Sequence, residues 1–416
     1  MGTLNFKSLN QKIAFFCATF VSFFIIFGPA LTNVFLFLTL IFILLSGGLK
    51  QHFIDAWANP VSKFSFIFFL LFLIGISWSI AETSDAFRIW KKYLPFLFIP
   101  ILIPLFSSKE KQRFGINIFL SSTLIVLVIS YLIYFGLLPE FNVSIPGRHR
   151  PLNVTMDGGF QTHIITNILI AFSSFIYLTR SKLQKGNSSL LNLFLFIVSS
   201  YYVLFISTGT SGQVLFLVLI FVFFFQISKK WLLIFIGITF ALTTIGINNP
   251  DPIKKIHPNI ETTINKIQYK YGQLYEEPTP KNINQRPQRN INSIKMIASD
   301  PWIGTGTGSY FAAYKSKLPE IEKITTGTKW NPHNEYLSIG VQLGILGIIC
   351  FMYLFYLQFR HSLQNEDQEI RDISQGFVVF MMIGCVANSM IMDSGEGHFY
   401  AYFSALLFSQ YKQQEA

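Results

Sequence analysis

The sequence predicts an all-α, polytopic membrane protein of about 12 transmembrane helices, with a large helical loop between spans 9 and 10. Three observations carry that prediction. Charged residues are 13% of the 416, about half the roughly 25% usual in a soluble domain. Apolar residues are 51%, among them 46 Phe. They also gather in nearly continuous runs, as at 64–80, 214–225 and 231–247. Crossing a bilayer takes about 20 mostly apolar residues, and in lipid the backbone must satisfy its own hydrogen bonds as helix.

Apolar length places the spans near 13–30, 32–47, 64–80, 93–106, 114–137, 161–179, 190–207, 212–228, 231–247, 334–359, 373–391 and 396–411. The first run follows Lys7 and Lys12 and passes into the second without a small-residue cleavage site, so it reads as a retained anchor. Cys17, Cys350 and Cys385 fall inside spans with no metal-ligand spacing, which predicts buried free thiols. No internal repeat or low-complexity linker interrupts the chain, so residues 1–416 are expected to form one membrane domain.

Basic residues in short loops set the orientation. With the N-terminus inside, the cytoplasmic set is Lys50, Lys63, Lys109, Lys111, Arg113, Arg180, Lys182, Lys185, Lys229 and Lys230. The opposite set is Arg88, Lys91, Lys92, Arg148 and Arg150, a bias of about two to one. Both termini are then cytoplasmic, and the polar segment 248–332 lies outside. A shorter external segment, 139–160, carries Arg148 and Arg150.

The large loop opens with Lys254, Lys255, Lys266, Tyr269, Lys270 and Tyr271, a face that suits either anionic headgroups or a substrate. Pro287 then fits a first helical turn. Ile291, Ile294 and Ile297 or Ala298 recur at helical spacing, and Asp300-Pro301 ends the helix. Arg286 and Arg289, three apart near its start, are either solvated or a pair able to hold a diphosphate beside the helix-start amides. The run Gly304-Thr305-Gly306-Thr307-Gly308 lacks the strand and the Lys-Ser/Thr of a nucleotide loop, and is expected to be a tight turn of close backbone approach.

At the entrance to span 10 stands Asn331-Pro332-His333-Asn334-Glu335-Tyr336. With Asn331 as cap and Pro332 in the first helical position, His333 falls in the first turn, where the helix dipole disfavours imidazolium. It is then either a headgroup-level histidine or a neutral proton acceptor. Glu335 is a potential partner, although a spacing of two on a helix points it elsewhere.

The order Arg286, then Pro301 to Gly308, then His333-Asn334-Glu335-Tyr336-Leu337, then Leu343-Gly344-Ile345-Leu346-Gly347 is similar to the O-antigen ligase and polymerase superfamily. The motifs cover about 65 residues, and the span pattern with its large periplasmic loop extends the likeness along the chain. The resemblance implies a metal-independent, inverting glycosyltransferase of the bacterial inner membrane, without a cofactor. Its donor would be an undecaprenyl-diphosphate-linked glycan, and its acceptor a lipid A-core sugar or a growing glycan. By the same resemblance Arg286 would neutralise the diphosphate, with Arg289 as the alternative one turn on. His333 would act as base or hold the donor, and Gly304, Gly306, Gly308, Asn334, Glu335 and Tyr336 would support the motif.

One departure stands out. The family often carries an Arg in the turn before the span matching span 8, where this chain has Thr208-Gly209-Thr210-Ser211-Gly212, with Thr210 at the Arg position. Arg148 and Arg150 are the expected substitutes in binding the diphosphate. A polymerase, a protein-glycosylating ligase, a lipid-linked glycan transporter and a membrane scaffold are the other readings. A transporter predicts ionisable residues within spans and internal repeats, whereas the polar candidates here gather in external loops. The net charge of +11 owes much to cytoplasmic loops, and supports the topology and anionic-lipid contact more than any nucleic-acid role.

Overall fold

The computed structural model describes residues 2–143, 152–248, 286–317 and 331–410. Arg148, Arg150, Lys254, Lys255, Lys266, Tyr269, Lys270 and Tyr271 lie outside the described residues. Among those described, every predicted apolar run falls on a helix. Eight helices are long and apolar enough to span a membrane, or nine if a bent pair forms one span. The chain is thus an all-α multi-pass membrane protein, but the count of twelve is not what these helices establish.

The helices are α1 (Gly2–Ile25), α2 (Pro29–Leu45), α3 (Leu49–Ala58), α4 (Pro60–Ile74), α5 (Thr83–Lys92), α6 (Pro95–Leu102), α7 (Lys109–Tyr134), α8 (His163–Leu183), α9 (Asn187–Tyr201), α10 (Thr210–Ile227) and α11 (Lys229–Asn248). After these come α12 (Arg286–Ser299), α13 (Tyr310–Lys317), α14 (Glu335–Leu363), α15 (Gln368–Ala387) and α16 (Ser394–Leu407). Three features depart from the sequence expectation. Lys50 lies on α3, which is bent by 116° from α2. Arg88, Lys91 and Lys92 lie on α5, which continues through α6 as one candidate span, Thr83–Phe106. A two-stranded antiparallel hairpin, β1 (Phe141–Val143) and β2 (Leu152–Val154), interrupts the helices. Strongly amphipathic, charged α5 is the kind of segment that a search for apolar length misses.

The chain divides into two compact units. The first comprises Met1–Leu49, Leu105–Asn265 and Ser362–Phe380. Its α8 is buried almost all round, from Thr166 to Thr179, with Phe172 packed edge-on or tilted among Phe119, Phe377 and Phe380. At one end Arg180 Nε donates to Glu369 at 2.7 Å, Lys182 to Asp372 at 2.9 Å and Arg113 to Asp367 at 2.9 Å. These pairs fasten the ends of α7 and α8 to the start of α15. A single π-helical turn, Tyr202–Ile206, precedes the Thr208–Gly212 turn, and Asn167 donates to the Gly209 carbonyl at 2.7 Å.

The second unit comprises Lys50–Pro104, Lys266–His361 and Met381–Ala416. Asn59 caps α4 through Val61 and Ser62, with Pro60 in the first turn, and its amide donates to the Phe408 carbonyl at 2.7 Å. In the core Phe72 stacks on Tyr93, and Phe68 packs tilted against Phe96.

The element that organises this unit is a break in α14. Gly344 has φ +64° and ψ −161°, which interrupts the helical ladder within a membrane span. Such a break leaves amides and carbonyls that lipid cannot satisfy. The Gly-rich turn satisfies them. Thr305 and Gly306 donate their N–H groups to the carbonyls of Val341 and Gln342, each at 2.9 Å. Ile345 and Leu346 in turn donate to the carbonyls of Pro301 and Trp302, at 2.7 and 3.2 Å. Further along, Thr307 donates to the Gly75 carbonyl at 2.9 Å, and Gly308 to Gln342 Oε1 at 2.8 Å.

Candidate functional site

The glycines of the turn are required by that interlocking. Gly304, Gly306 and Gly308 have φ of +65°, +91° and +78°. A Cβ on Gly306 would lie 2.2 Å from the Ser79 Cα, and one on Gly304 would lie 2.6 Å from the Val341 carbonyl. The turn is therefore one of close backbone approach, as its composition predicts.

Helix α12 follows the turn's other flank. It begins at Arg286 and buries Gln288, Asn292, Ser293 and Met296, with Met296 packed against Tyr310, Ala313, Tyr314 and Val341. The expected isoleucine stripe is only part of this face. Ile297 joins the cluster, but Ile294 points outward. The polar contacts explain why: Ser293 and Asn292 are hydrogen-bonded to the Tyr310 and Tyr314 hydroxyls, so the buried side of α12 carries polar groups as well as hydrocarbon.

At the start of α12, Arg286 donates to the Ala387 carbonyl at 3.2 Å. Its guanidinium is partly desolvated, which lowers its pKa, while nearby Asp393 acts in the opposite direction. Arg289 is likewise held down, first by burial, and its Nε has no hydrogen-bond partner among the described residues. Guanidinium stays charged through such shifts.

His333 sits differently from the sequence expectation. Helix α14 begins at Glu335, so His333 precedes it instead of lying in its first turn. Its φ is +56°, the one positive value for a non-glycine among the described residues. Two asparagines produce this geometry. Asn331 Oδ1 accepts the His333 N–H at 2.9 Å, forming a local turn, and Asn334, not Asn331, caps the helix by accepting from Leu337 at 3.1 Å. The imidazole pKa falls to about 4, through burial first and then the charges of Arg286 and Arg289. A neighbouring Asn388 side chain opposes the shift. Neutrality thus comes from desolvation and two cations, and the helix dipole is not its main source.

The motif's remaining residues turn away from His333. Glu335, fully buried, accepts the N–H groups of Ile391 and Met392 at 2.9 and 3.4 Å. Tyr336 donates to the Met382 carbonyl at 3.0 Å. Glu335 thus ties the start of α14 to the segment joining α15 and α16, and Tyr336 ties it to α15 itself.

That segment brings Asn388 and Asp393 to the site, and α5 brings Lys92. Burial raises the Asp393 pKa, against the pull of Lys92 and Arg286. Sequence reasoning missed all three. The signal was there in Asp393-Ser394-Gly395-Glu396-Gly397-His398, an ionisable run interrupting the last two apolar stretches. Glu335 and Glu396 are also buried at helix starts, so ionisable groups are not confined to the loops. Arg286, Arg289 and His333 come together; Arg148 and Arg150 lie outside the described residues. No group of three or more metal-ligating side chains occurs among the described residues.

Residues 193–352 match a family described as O-antigen ligase. The matched stretch contains Arg286, Arg289, the Gly-rich turn, His333 and the break at Gly344. No curated protein matches the chain. By that match, and by the motif order it encloses, this multi-pass membrane chain is similar to the O-antigen ligase family over residues 193–352.

Proposed function

We propose that the protein is an O-antigen ligase-like, metal-independent, inverting glycosyltransferase of the bacterial inner membrane, with both termini cytoplasmic and the site in the periplasmic segment 248–332. It moves a glycan from undecaprenyl diphosphate onto a sugar hydroxyl of the lipid A core. The observation that supports this most is the meeting of Arg286, Arg289 and His333 within the family-matched stretch.

In the reaction, the acceptor oxygen forms a bond to the anomeric carbon on the face opposite the diphosphate. The bond from that carbon to the phosphate oxygen breaks, and its electron pair leaves with the diphosphate. Two half-buried guanidiniums at a helix start neutralise the leaving group, a stabilisation that strengthens as charge develops. Neutral His333 takes the acceptor proton, or else donates its ring N–H to the donor diphosphate. Arg148 and Arg150 supply the diphosphate contact that Thr210 cannot make. The Gly-rich turn, Asn334, Glu335 and Tyr336 hold the backbone on which His333 stands.

A polymerase extending repeats on the same carrier shares the donor and these residues, and differs in acceptor. Replacing His333 with Ala in the native host, and separating surface glycolipids by size, tests both. Loss of long chains with the protein retained in the membrane supports transfer at this site. Full-length chains stranded on the carrier identify a ligase, single repeats a polymerase. An unchanged ladder rejects His333 as a participant.

A further inference from the structure

Where α14 breaks, a patch of apolar side chains faces outward. Trp302 is 75% exposed, Ile303 51% and Leu346 46%. Ile74, at the end of α4, is 58% exposed. Backbone contacts fix this patch from three sides: Leu346 donates to the Trp302 carbonyl, Thr307 to the Gly75 carbonyl, and Trp78 Nε1 to the Ile303 carbonyl at 3.2 Å. With these main-chain groups held internally, what the patch shows at the surface is mostly hydrocarbon and two indoles, with Ser77 among them.

We propose that this patch is immersed in the bilayer at the boundary between acyl chains and headgroups, so that the Gly-rich turn is a membrane-embedded anchor. Lipid is the occupant that the surroundings specify. The patch continues directly into the outward row of α14, where Ile349 and Tyr356 are exposed; that row lies on a helix apolar and long enough to span. A length ruler gives the depth. From Gly344 to Leu363, the lower part of α14, the helix rises roughly 30 Å. That matches the roughly 30 Å hydrocarbon core, and places the turn at its edge. Tryptophan, with an apolar body and a polar N–H, concentrates at that level. At the other end of α4, Trp57 stacks on Phe53 beside Lys63.

The anchor sets the height of the site. Glu335 begins α14 roughly 13 Å above the break along the helix axis, which puts His333 beyond the hydrocarbon, at headgroup level and above. This inference concerns the depth of the turn and does not rest on the transfer reaction.

The test is fluorescence quenching of the full-length protein in phosphatidylcholine nanodiscs. Trp57, Trp78, Trp90, Trp231 and Trp330 are replaced by Phe, leaving Trp302; should that variant fail to fold, the difference between wild type and Trp302→Phe is measured instead. Phosphatidylcholine brominated near the top of its acyl chains should quench Trp302 about twofold or more, and more strongly than either mid-chain bromine or aqueous iodide. Quenching led by iodide would put the turn in water, and quenching led by mid-chain bromine would put it in the bilayer interior. Either result overturns the proposal. Neither changes the interpretation of a His333→Ala ladder.

Discussion

Gly344 lies against the main chain of Trp302: a Cβ on Gly344 would sit 2.4 Å from the Trp302 carbonyl oxygen. The contact joins two sequence boxes more than forty positions apart, the Gly-rich turn and the glycines of α14. Each supplies what the other lacks. The span must break to admit the turn, and the turn's amides and carbonyls satisfy the groups that the break exposes. Replacing Gly344 by Ala adds both a clash and a strained positive φ. The expected cost is about 2–4 kcal/mol, measured as a lower thermal midpoint of the detergent-solubilised protein. Full stability in this variant would contradict the interlock.

Arg286 and Arg289 should differ in consequence. Arg286 is tethered to the Ala387 carbonyl and faces His333. Arg286→Gln should lower turnover on the order of 10²–10³-fold with the protein still folded. Arg286→Lys should recover only part of this, because a point charge cannot reproduce the forked guanidinium contact. Steady-state transfer with purified donor checks both.

The pH response of His333 follows from its lowered pKa of about 4, against an ordinary value of 6.5. As a base it stays neutral above 6.5, so its contribution to the rate is flat there and falls as pH approaches about 4. Stability follows the same sign. Between 6.5 and about 4 the unfolded chain binds a proton that the folded chain does not, so stability declines as pH falls through that window. A His333→Gln variant should lose this part of the acid sensitivity, seen by unfolding scans across pH.

Arg148 and Arg150 are expected to supply the donor contact that Thr210 lacks. Replacing both with Gln should weaken donor use while leaving the membrane level of the protein unchanged. Unaltered dependence of rate on donor concentration would remove them from the site.

In the first unit Glu369 joins Arg180 at 2.7 Å and lies 3.8 Å from Arg113. Its side chain and that of Arg180 are each 12% exposed. Glu369→Gln would leave a largely buried guanidinium without its counter-charge, at a cost of about 2 kcal/mol. Thermal unfolding should register this without a change in donor affinity.

Much of the architecture was legible in the chain because lipid imposes one rule on every span: enough consecutive hydrocarbon, wound as helix. That rule located each apolar run; the helix near Arg286 was legible instead from Pro287 and the spacing of its isoleucines. It failed where helices are amphipathic or short, as with α3 and α5, since their charges hide them from a search for apolar length. The Gly-x-Gly-x-Gly composition announced a tight turn, because only glycine tolerates such close approach. What the turn approaches was settled by tertiary structure alone, since hydrogen bonds between Thr305 and Val341, or Leu346 and Trp302, carry no local sequence signal. The same holds for His333. The sequence placed it in the first turn of the helix, but its left-handed backbone precedes the helix in a turn closed by Asn331, and its neutrality comes from burial and two arginine charges that only the packed unit supplies. Asp393 and Asn388 reach the site from more than fifty residues away; neither residue's neighbours in sequence say where that chain returns, and packing around the broken helix decides it.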